Sequence, residues 1–369
     1  MIGAIGKILI ILSLFLTSCG DNNGYSSVSK STFNIENYDL NTDVDNCGAV
    51  GYACVNGRSC NDGICVPAWQ SINTYGAPTP RGVAGAGFVN GKYIFFGGCT
   101  EYNLNPSESS GGVYDPDLDS WDILSPLNEG RAQFSTVTTE DGVFVYGGIY
   151  VCFDGGTVGA GLEVIFNYDG NWTAVPTNIN ANYSAAMTYT GYSLFLYGGQ
   201  DNYSPYLNNA AIISLGSQGY NIQCELSNCE RTGATAFMDH NIVHILGGNN
   251  SVSYFPSGLL YDLDAEQWYT WVLPENTPDF YSLKPFPSTP VRYVDDGRRL
   301  FYIGSDNVVY IYDRNSQTWI TDNSDVPEGF CSEGAVAWTG SELIQYSGMC
   351  DFEVFSSIGA RYQPPAPIN

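Results

Sequence analysis

The sequence contains very few histidines and few basic residues. Only two histidines, His240 and His244, occur in 369 residues, and no GxSxG motif is present, so a serine hydrolase with a Ser–His triad is not expected. Lysine and arginine number 13 against 38 aspartates and glutamates, which gives a formal net charge of −25. Such an acidic chain repels nucleic acid, and we expect no nucleic-acid partner. The same acidity also favours the solubility of an exported domain.

The N-terminal apolar stretch is too short to span a bilayer. It runs from Ile8 to Leu16 after a single positive charge, Lys7, so residues 1–18 are expected to be a signal peptide. The segment Leu16-Thr17-Ser18-Cys19-Gly20 resembles a bacterial lipoprotein signal. That implies acylation of Cys19 and anchoring to the cell envelope, at the outer membrane or cell surface. The alternative is an ordinary secretory signal that is cut nearby. Residues 19–46 are polar, and we expect a flexible tether.

An apolar run that ends in two glycines recurs along the chain. The clear copies end at Gly97-Gly98, Gly147-Gly148, Gly198-Gly199 and Gly247-Gly248, and weaker copies end at Gly304-Ser305 and Ser347-Gly348. The first glycines of the clear copies are 50, 51 and 49 residues apart, which is a spacing typical of propeller blades. In the first copy, Asn90-Gly91 lies between two strand-like runs and predicts a tight hairpin.

A tyrosine and a tryptophan follow the double glycines at a fixed interval. Three copies have an interval of seven residues: Tyr114 to Trp121, Tyr261 to Trp268 and Tyr312 to Trp319. Together with the double glycines, this pattern resembles the kelch repeat over residues 69–364. The resemblance implies an all-β protein, a six-bladed kelch-type β-propeller with four antiparallel strands in each blade. We therefore expect residues 67–365 to form the propeller and residues 366–369 to form a tail.

Closure of the ring requires a strand from outside the repeats. The last repeat ends after its third strand, Ile358–Tyr362, and breaks at Pro364-Pro365 without a tryptophan-bearing fourth strand. Upstream of the first repeat, Val66–Ile72 contains Trp69 and looks like a fourth strand without its blade. We predict that this segment supplies the outer strand of the sixth blade, so that no sheet edge stays open. The alternative is a disordered lead-in with an isolated tryptophan.

The cysteines indicate an oxidising compartment. Acylation of Cys19 would leave ten of the 11 cysteines, an even number that suits disulfide bonds in an exported protein. Residues 47–66 are expected to form a small module with two disulfides of open connectivity, similar to modules of deltaproteobacterial surface lipoproteins. The spacing lacks the CxxC pairs typical of zinc sites, so no metal is expected. The predicted disulfide cysteines are Cys47, Cys54, Cys60, Cys65, Cys99, Cys152, Cys224, Cys229, Cys331 and Cys350.

Position in the repeat favours one disulfide in particular. Cys331 begins the first strand of the sixth repeat, and Cys350 follows the end of the second strand. Those two ends adjoin in an antiparallel pair, so we expect a bond between them. The remaining repeat cysteines are Cys224 and Cys229, in one loop between blades, and Cys99 and Cys152, in equivalent loops of neighbouring blades.

The loops after the double glycines form the predicted ligand-binding face. They are long in the first four blades and carry aromatic side chains beside amides and carboxylates. This combination suits sugar rings, whose CH faces stack on aromatic rings while their hydroxyls find hydrogen-bond partners. The alternative is that these side chains pack on one another at the loop tips. The candidate residues are Tyr102, Tyr150, Phe153, Asp154, Tyr203, Tyr206 and Tyr254.

Three arginines occupy equivalent places in the repeats. Arg81, Arg131 and Arg231 each lie 16 residues before the first glycine of their pair, whereas the third repeat has Asn182 there and the sixth has Cys331. As ligand-binding residues, the arginines would line the mouth of the pore and hold a carboxylate or sulfate through two hydrogen bonds each. The alternative, which we favour, is structural: each arginine ties its blade to an acidic neighbour.

Two classes of function remain open. The favoured one is a monomeric binding or adhesion module for a glycan or protein ligand. The other is a saccharide-active enzyme like the kelch sialic-acid mutarotases, in which arginine acts beside Glu101, Glu163 or Asp154. No cofactor is expected, because two histidines do not provide the copper site of galactose-oxidase relatives. Asp115–Asp119 resembles a calcium-type alternation of carboxylates but coincides with a turn of the repeat, and the turn is favoured.

Overall fold

The computed structural model describes most of the chain from residue 38 onward. The described residues are 38–101, 106–152, 162–166, 171–214, 219–250, 255, 257–279, 293–332, 334–351 and 354–367. Residues 39–369 belong to one compact unit. All regular elements in the described part are β-strands, and none of its segments is a helix long and apolar enough to cross a membrane. The predicted signal peptide, Cys19 and most of the predicted tether lie outside the described residues.

Five sheets are each built from four strands that are consecutive in the chain, and we name them blades one to five. Three short strands precede them: β1 (Ser59–Asn61), β2 (Ile64–Val66) and β3 (Trp69–Ser71). Blade one contains β4 (Gly85–Val89), β5 (Lys92–Phe96), β6 (Gly111–Asp115) and β7 (Ser120–Leu124). Blade two contains β8 (Ser135–Thr138), β9 (Gly142–Tyr146), β10 (Leu162–Phe166) and β11 (Thr173–Val175).

Blades three to five repeat this plan. Blade three contains β12 (Ala186–Tyr189), β13 (Ser193–Tyr197), β14 (Asn209–Ser214) and β15 (Tyr220–Gln223). Blade four contains β16 (Thr235–Asp239), β17 (Ile242–Leu246), β18 (Gly258–Asp262) and β19 (Gln267–Trp271). Blade five contains β20 (Val294–Asp295), β21 (Arg299–Ile303), β22 (Val309–Asp313) and β23 (Thr318–Asp322).

A further four-stranded sheet, the composite sheet, joins both ends of the described chain. Its last-repeat strands are β24 (Ala335–Trp338), β25 (Leu343–Tyr346) and β28 (Gly359–Tyr362), with a small hairpin of β26 (Met349–Asp351) and β27 (Val354–Phe355) inserted before β28. The strand order is β24-β25-β28-β3. β3 therefore pairs with β28, and Trp69 lies opposite Tyr362.

The first strands of the sheets lie side by side around a central cavity. β4 lies beside β8, β8 beside β12 and β12 beside β16, while β24 lies beside both β4 and β20. Apolar and aromatic side chains fill the seams between the sheets, as Phe195, Tyr197, Ile245 and Trp268 do between blades three and four. The first strands together line a cavity of about 440 Å³. The prediction of an all-β propeller is confirmed.

The double glycines are required by two features of the seams. Both residues take positive φ, as at Gly147 (67°) and Gly148 (105°), a conformation that costs other residues roughly 1–2 kcal/mol. A Cβ on Gly147 would also lie 1.8 Å from the carbonyl oxygen of Asn182, which opens blade three. The main chain of the next blade therefore passes directly over the first glycine of the pair.

The aspartate of the Tyr-Asp motif caps a turn. The Asp115 carboxylate accepts hydrogen bonds from the main-chain N–H groups of Asp117 (3.0 Å) and Leu118 (3.3 Å). Asp262 and Asp313 accept equivalent pairs of bonds in blades four and five. This repetition explains the Asp115–Asp119 alternation as turn chemistry that the repeat uses three times.

Disulfides connect all ten predicted cysteines. The N-terminal module contains Cys47–Cys60 and Cys54–Cys65, and the expected Cys331–Cys350 bond is present. The other two bonds are Cys99–Cys152, which joins loops of blades one and two, and Cys224–Cys229. Residues upstream of Cys47 also pack on the module, because the amide of Gly48 donates to the carbonyl of Leu40 (2.8 Å) and that of Gly63 donates to Asn41 (3.2 Å).

A buried ion-pair network fastens the module to the composite sheet. Arg58 Nη1 lies 3.1 Å from Glu342 Oε2, and Arg361 Nη1 lies 3.4 Å from Glu342 Oε1, with all three side chains buried. Arg58 also donates to the carbonyl of Pro67 just before β3 (3.0 Å). This network has no signature in the sequence, because Arg58 and Glu342 are 284 residues apart.

Candidate functional site

The segment that enters each blade lies beside the loop that follows the double glycine. Isolated antiparallel bridges pair the two segments in four blades: Gly82 with Cys99, Ala132 with Ile149, Tyr183 with Gln200 and Thr232 with Asn249. We name this end of the propeller the loop face. The predicted ligand-binding loops and the predicted arginine places thus share one end of the molecule, as the repeat pattern indicates.

Tyr203 is the most exposed of the candidate aromatics in the described chain. It is 93% exposed and lies in the loop between β13 and β14 of blade three. The loop is ordered by Asp201, whose Oδ1 accepts hydrogen bonds from the main-chain N–H groups of Tyr203 (2.8 Å) and Ser204 (2.6 Å). The tyrosine ring is therefore presented to solvent from a hydrogen-bonded turn.

Tyr206 and Tyr183 lie near the same aspartate. The Tyr183 hydroxyl donates to Gln200 Oε1 at 2.5 Å. Burial raises the pKa of Tyr183, and the nearby Asp201 and Tyr206 raise it further. The Tyr183 hydroxyl consequently stays protonated at neutral pH and acts as a hydrogen-bond donor. Tyr206 is half-buried in this group rather than projecting freely as Tyr203 does.

Two further candidate residues, Tyr150 and Glu101, are also described. Tyr150 is half-buried, and its hydroxyl donates to Glu129 Oε2 at 2.6 Å. Glu101, which we considered for catalysis, is exposed. The remaining candidates lie outside the described residues, or have side chains that do: Tyr102, Phe153, Asp154, Tyr254 and Glu163.

The three arginines are buried and bind main-chain carbonyls of their own blades. In each case Nη1 donates to the first glycine of the pair: Arg81 to Gly97 (3.3 Å), Arg131 to Gly147 (3.3 Å) and Arg231 to Gly247 (2.8 Å). This geometry favours the structural interpretation of the arginines. For Arg81 and Arg231, the described acceptors are mainly main-chain carbonyls rather than acidic groups of a neighbouring blade, which differs from the tie that the sequence predicts.

Burial also lowers the pKa of two of these arginines, Arg231 and Arg81. The Arg231 guanidinium lies over the Phe255 ring, with 4.3 Å between Cζ and the ring centroid. Burial lowers the pKa of Arg231 to about 10, which still leaves it cationic at neutral pH. Arg81 has one carboxylate nearby, with Nη1 3.9 Å from Glu108 Oε2, and burial lowers its pKa too. The positive charges of Arg81 and Arg231 therefore lie inside the blades.

Blade three differs because Asn182 replaces the arginine. The Asn182 amide nitrogen donates to the Gly198 carbonyl at 2.8 Å, which is the contact that the arginines make elsewhere. The shorter side chain leaves a cavity of about 240 Å³, which we name the blade-three pocket. Its polar lining residues are Asn178, Asn180, Asn182, Asp201, Asn209 and Asn221. Sequence reasoning noted the substitution at Asn182 but missed the pocket.

The central cavity is lined mainly by small, apolar and hydroxyl side chains. Its described lining includes one carboxylate, Asp295, and no arginine. Partial removal from solvent raises the pKa of Asp295, an effect opposed by the adjacent Arg314, with which it forms an ion pair. The cluster of arginines and carboxylates that we expected of a saccharide-active enzyme is therefore not found among the described residues of this cavity.

The two histidines lie in different environments. His240 is exposed in the turn between β16 and β17. His244 lies on β17 against Phe237 and Trp271, with ring centroids 4.7 and 4.9 Å away. Burial lowers the pKa of His244 to about 4, so the imidazole is neutral at pH 7. This packing makes His244 part of the seam between blades four and five.

The sulfur atoms of the N-terminal module also lie close together. Those of Cys47, Cys54 and Cys65 are all within 4.8 Å of one another. Each sulfur takes part in one of the two disulfides of the module. The proximity therefore reflects two stacked disulfide bonds, which offer no thiolate to a metal ion.

Comparison with known proteins gives little further guidance. No family model matches the chain. The chain is 24% identical over 243 residues to the dynein alpha chain of the flagellar outer arm of Chlamydomonas reinhardtii. The matched region covers 57% of this chain but only 5% of the dynein chain. This similarity is too low and too partial to show a family, so membership of the kelch family stays a prediction.

Proposed function

We propose that the chain is a six-bladed propeller of kelch type in which the composite sheet is the sixth blade and β3 its outer strand. The proposal is supported by the pairing of β3 with β28. A repeated contact also supports it. The Trp121 indole of blade one donates a hydrogen bond to the main-chain carbonyl of Asn73, just after β3 (2.8 Å). The Trp172 indole of blade two likewise donates to the main-chain carbonyl of Ser125, just after β7 (3.1 Å). In this proposal, β3 takes the same position in the composite sheet that β7 has in blade one.

We further propose that the protein is exported and lipid-anchored through Cys19. The lipoprotein-like signal at residues 16–20 is the direct support. Five disulfide bonds add to it, since disulfides persist in oxidising compartments and are rare in the cytosol. Acyl chains would hold the propeller at the cell envelope without any membrane-spanning segment.

The function we propose is ligand binding at the loop face. The observation that carries it is Tyr203, a nearly fully exposed aromatic ring that Asp201 holds on an ordered turn. The backbone of Tyr203 is fixed by this bond and a tyrosine side chain has only two rotatable χ angles, so binding costs little conformational entropy. The Asp201 side chain that orders this turn also lines the blade-three pocket, together with several asparagines. Aromatic and polar groups in this combination suit a glycan or a protein ligand.

A binding role is favoured over catalysis by the chemistry of the central cavity. General acid–base catalysis needs titratable groups that converge on a substrate. Among the described lining residues of the cavity, Asp295 is a single carboxylate whose charge is paired with Arg314. A loop-face binder needs no such convergence.

The experiment that tests this function is a screen of the purified full chain on glycan and protein arrays. We expect a defined ligand class whose binding is lost when loop-face residues are changed. Failure to bind any glycan or protein, together with turnover of a saccharide, would overturn the proposal in favour of the enzyme.

A further inference from the structure

We propose that the blade-three pocket binds a guanidinium group, such as the arginine side chain of a peptide ligand. The pocket adjoins the loop that carries Tyr203, because Asp201 and Leu207 line it. The inference rests on the proposed function for the source of the group, since a ligand of the loop face would present it. The existence and selectivity of the pocket are independent of that function.

The first argument comes from what fills the equivalent place in other blades. In blade four, Arg231 Nη1 donates to the carbonyls of Gly247 (2.8 Å) and Ser257 (2.7 Å). In blade one, Arg81 Nη1 makes the same two contacts at 3.3 and 3.2 Å. The repeat therefore provides a built guanidinium site, made of two main-chain carbonyls at the start of the third strand and the end of the second.

In blade three the same site has no guanidinium of its own. Strand pairing makes Gly198 and Asn209 the equivalents of Gly247 and Ser257, and both line the pocket. Asn182 Nδ2 reaches the Gly198 carbonyl, but the side chain ends there. Its Oδ1 is buried and has no hydrogen-bond partner among the described residues. A buried acceptor without a donor is unfavourable, so a small shift of the Asn182 side chain that lets an entering donor reach Oδ1 is favoured.

The chemistry of the lining selects a cation. Asparagine side chains and the Asp201 carboxylate line the space, and the formal charge of −25 raises the local concentration of cations. A guanidinium offers five N–H donors in one plane, which matches several fixed acceptors. The volume of about 240 Å³ lies below the usual range for small-molecule pockets, roughly 300–1,000 Å³, and suits one functional group.

Methylguanidinium is the probe that tests this pocket directly. Titration of the full chain by isothermal calorimetry, with melting temperature as a second readout, should give saturable binding at millimolar concentrations and a raised melting temperature. Methylurea has nearly the same shape without the charge, and we expect it to bind at least tenfold more weakly. Equal binding of the two compounds, or no binding of methylguanidinium, overturns the proposal.

Substitutions at Asn182 locate the binding. Asn182→Arg supplies the guanidinium from within, so we expect a higher melting temperature and no response to methylguanidinium. Tyr192→Arg adds the same charge at the opposite end of blade three and should respond as the wild type does. Asn182→Asp adds a carboxylate to the pocket and should bind methylguanidinium several-fold more tightly, which decides the matter even if Asn182→Arg fails to fold. An unchanged response in both Asn182 variants overturns the proposal.

Tyr203→Ala separates this inference from the proposed function. The variant should bind methylguanidinium as the wild type does, because Tyr203 is not part of the pocket lining. If the pocket binds methylguanidinium but the arrays yield no ligand, the pocket stands and the proposed function falls. If the arrays yield a loop-face ligand but methylguanidinium does not bind, the pocket proposal falls alone.

Discussion

The main-chain carbonyl of Arg131 accepts a hydrogen bond from the amide of Gly98 at 2.9 Å. Gly98 follows the second strand of blade one and Arg131 precedes the first strand of blade two, so this bond crosses the seam between the blades. The guanidinium of the same arginine donates to Gly147 in its own blade. Gly148, the residue after Gly147, donates a hydrogen bond from its main-chain amide to the carbonyl of Asn182, which leads into blade three (2.9 Å). Contacts at the loop face are thus linked from one blade to the next.

This arrangement predicts that Gly147 cannot be replaced. Gly147→Ala should lower the free energy of unfolding by about 2–5 kcal/mol, because left-handed backbone strain adds to a clash with the Asn182 carbonyl. Gly91→Ala is the control: its φ is 75° in the described hairpin turn of blade one, and no described atom lies within 4 Å of the added Cβ. It should cost only about 1–2 kcal/mol. Equal losses in urea unfolding would contradict this account of the seam.

The proposed closure of the ring by β3 predicts that replacing Trp69 strongly lowers the stability of the protein. This side chain is buried, and its ring centroid lies 4.9 Å from that of Phe330 and 4.8 Å from that of Tyr362. Trp69→Ala should lower the free energy of unfolding by about 3–5 kcal/mol. Tyr75→Ala, an 89% exposed aromatic just after the strand, should change it little. A Trp69→Ala protein as stable as the wild type in chemical unfolding would mean that β3 does not close the ring.

We expect the folded protein to lose stability in mild acid because of His244. Its pKa is lowered in the folded protein from 6.5 to about 4, so the unfolded chain takes up the proton first as the pH falls. Its contribution is fully present above pH 6.5 and is lost between pH 6.5 and about 4, by roughly 2–3 kcal/mol. His244→Phe keeps the aromatic stacking and should lose less stability between pH 7.5 and 4.5.

His240 provides the control for that experiment. Its side chain is 94% exposed, so His240→Gln should follow the wild-type dependence on pH. Urea unfolding at both pH values measures the difference for each variant. If His244→Phe and His240→Gln change with pH by the same amount, His244 is not the residue responsible.

Local patterns in the sequence were sufficient for much of the fold. The double glycines, Asn90-Gly91 and the aspartate turns are set by short-range backbone geometry, and positive φ at Asn90 (50°) and Gly91 (75°) agrees with the predicted hairpin. The Cys331–Cys350 bond followed from the antiparallel pairing of two neighbouring strands. In each case the interacting residues are close in the chain or related by strand register.

Two kinds of feature could not be predicted from the sequence: contacts between residues far apart in the chain, and cavities left by a shorter side chain. The contact of Arg58 with Glu342 joins parts of the chain with no shared pattern, and each residue alone resembles a surface charge. The blade-three pocket exists because Asn182 is shorter than arginine. A repeat reveals that substitution, but only the packed structure shows whether neighbouring side chains fill the space. Main-chain acceptors leave no mark in the sequence, so the carbonyl partners of Arg81 and Arg231 could not be predicted from it.

The proposed lipid anchor predicts a change in fractionation. Acylation of Cys19 would supply most of the membrane affinity, at about 0.8 kcal/mol for each buried methylene group. Cys19→Ala should therefore move the protein from the membrane pellet to the soluble fraction after cell lysis and ultracentrifugation. Continued sedimentation with the membranes, in a protein that is folded and disulfide-bonded, would mean that the chain is held there in another way.

Binding at the loop face is the central claim, and Tyr203 tests it most directly. With the ligand class obtained from the arrays, Tyr203→Ala should weaken binding by about 1–3 kcal/mol without changing the melting temperature. Tyr192, 87% exposed in the turn at the other end of the same blade, provides the control. Arg231→Ala should show the reverse pattern, a lower melting temperature with ligand affinity retained, because its guanidinium holds buried carbonyls.

The decisive measurement is therefore the ligand dissociation constant of Tyr203→Ala beside that of Tyr192→Ala. The account predicts a value raised by about 5-fold to more than 100-fold for Tyr203→Ala and an unchanged value for Tyr192→Ala. Wild-type affinity in Tyr203→Ala, or equal losses in both variants, would contradict it.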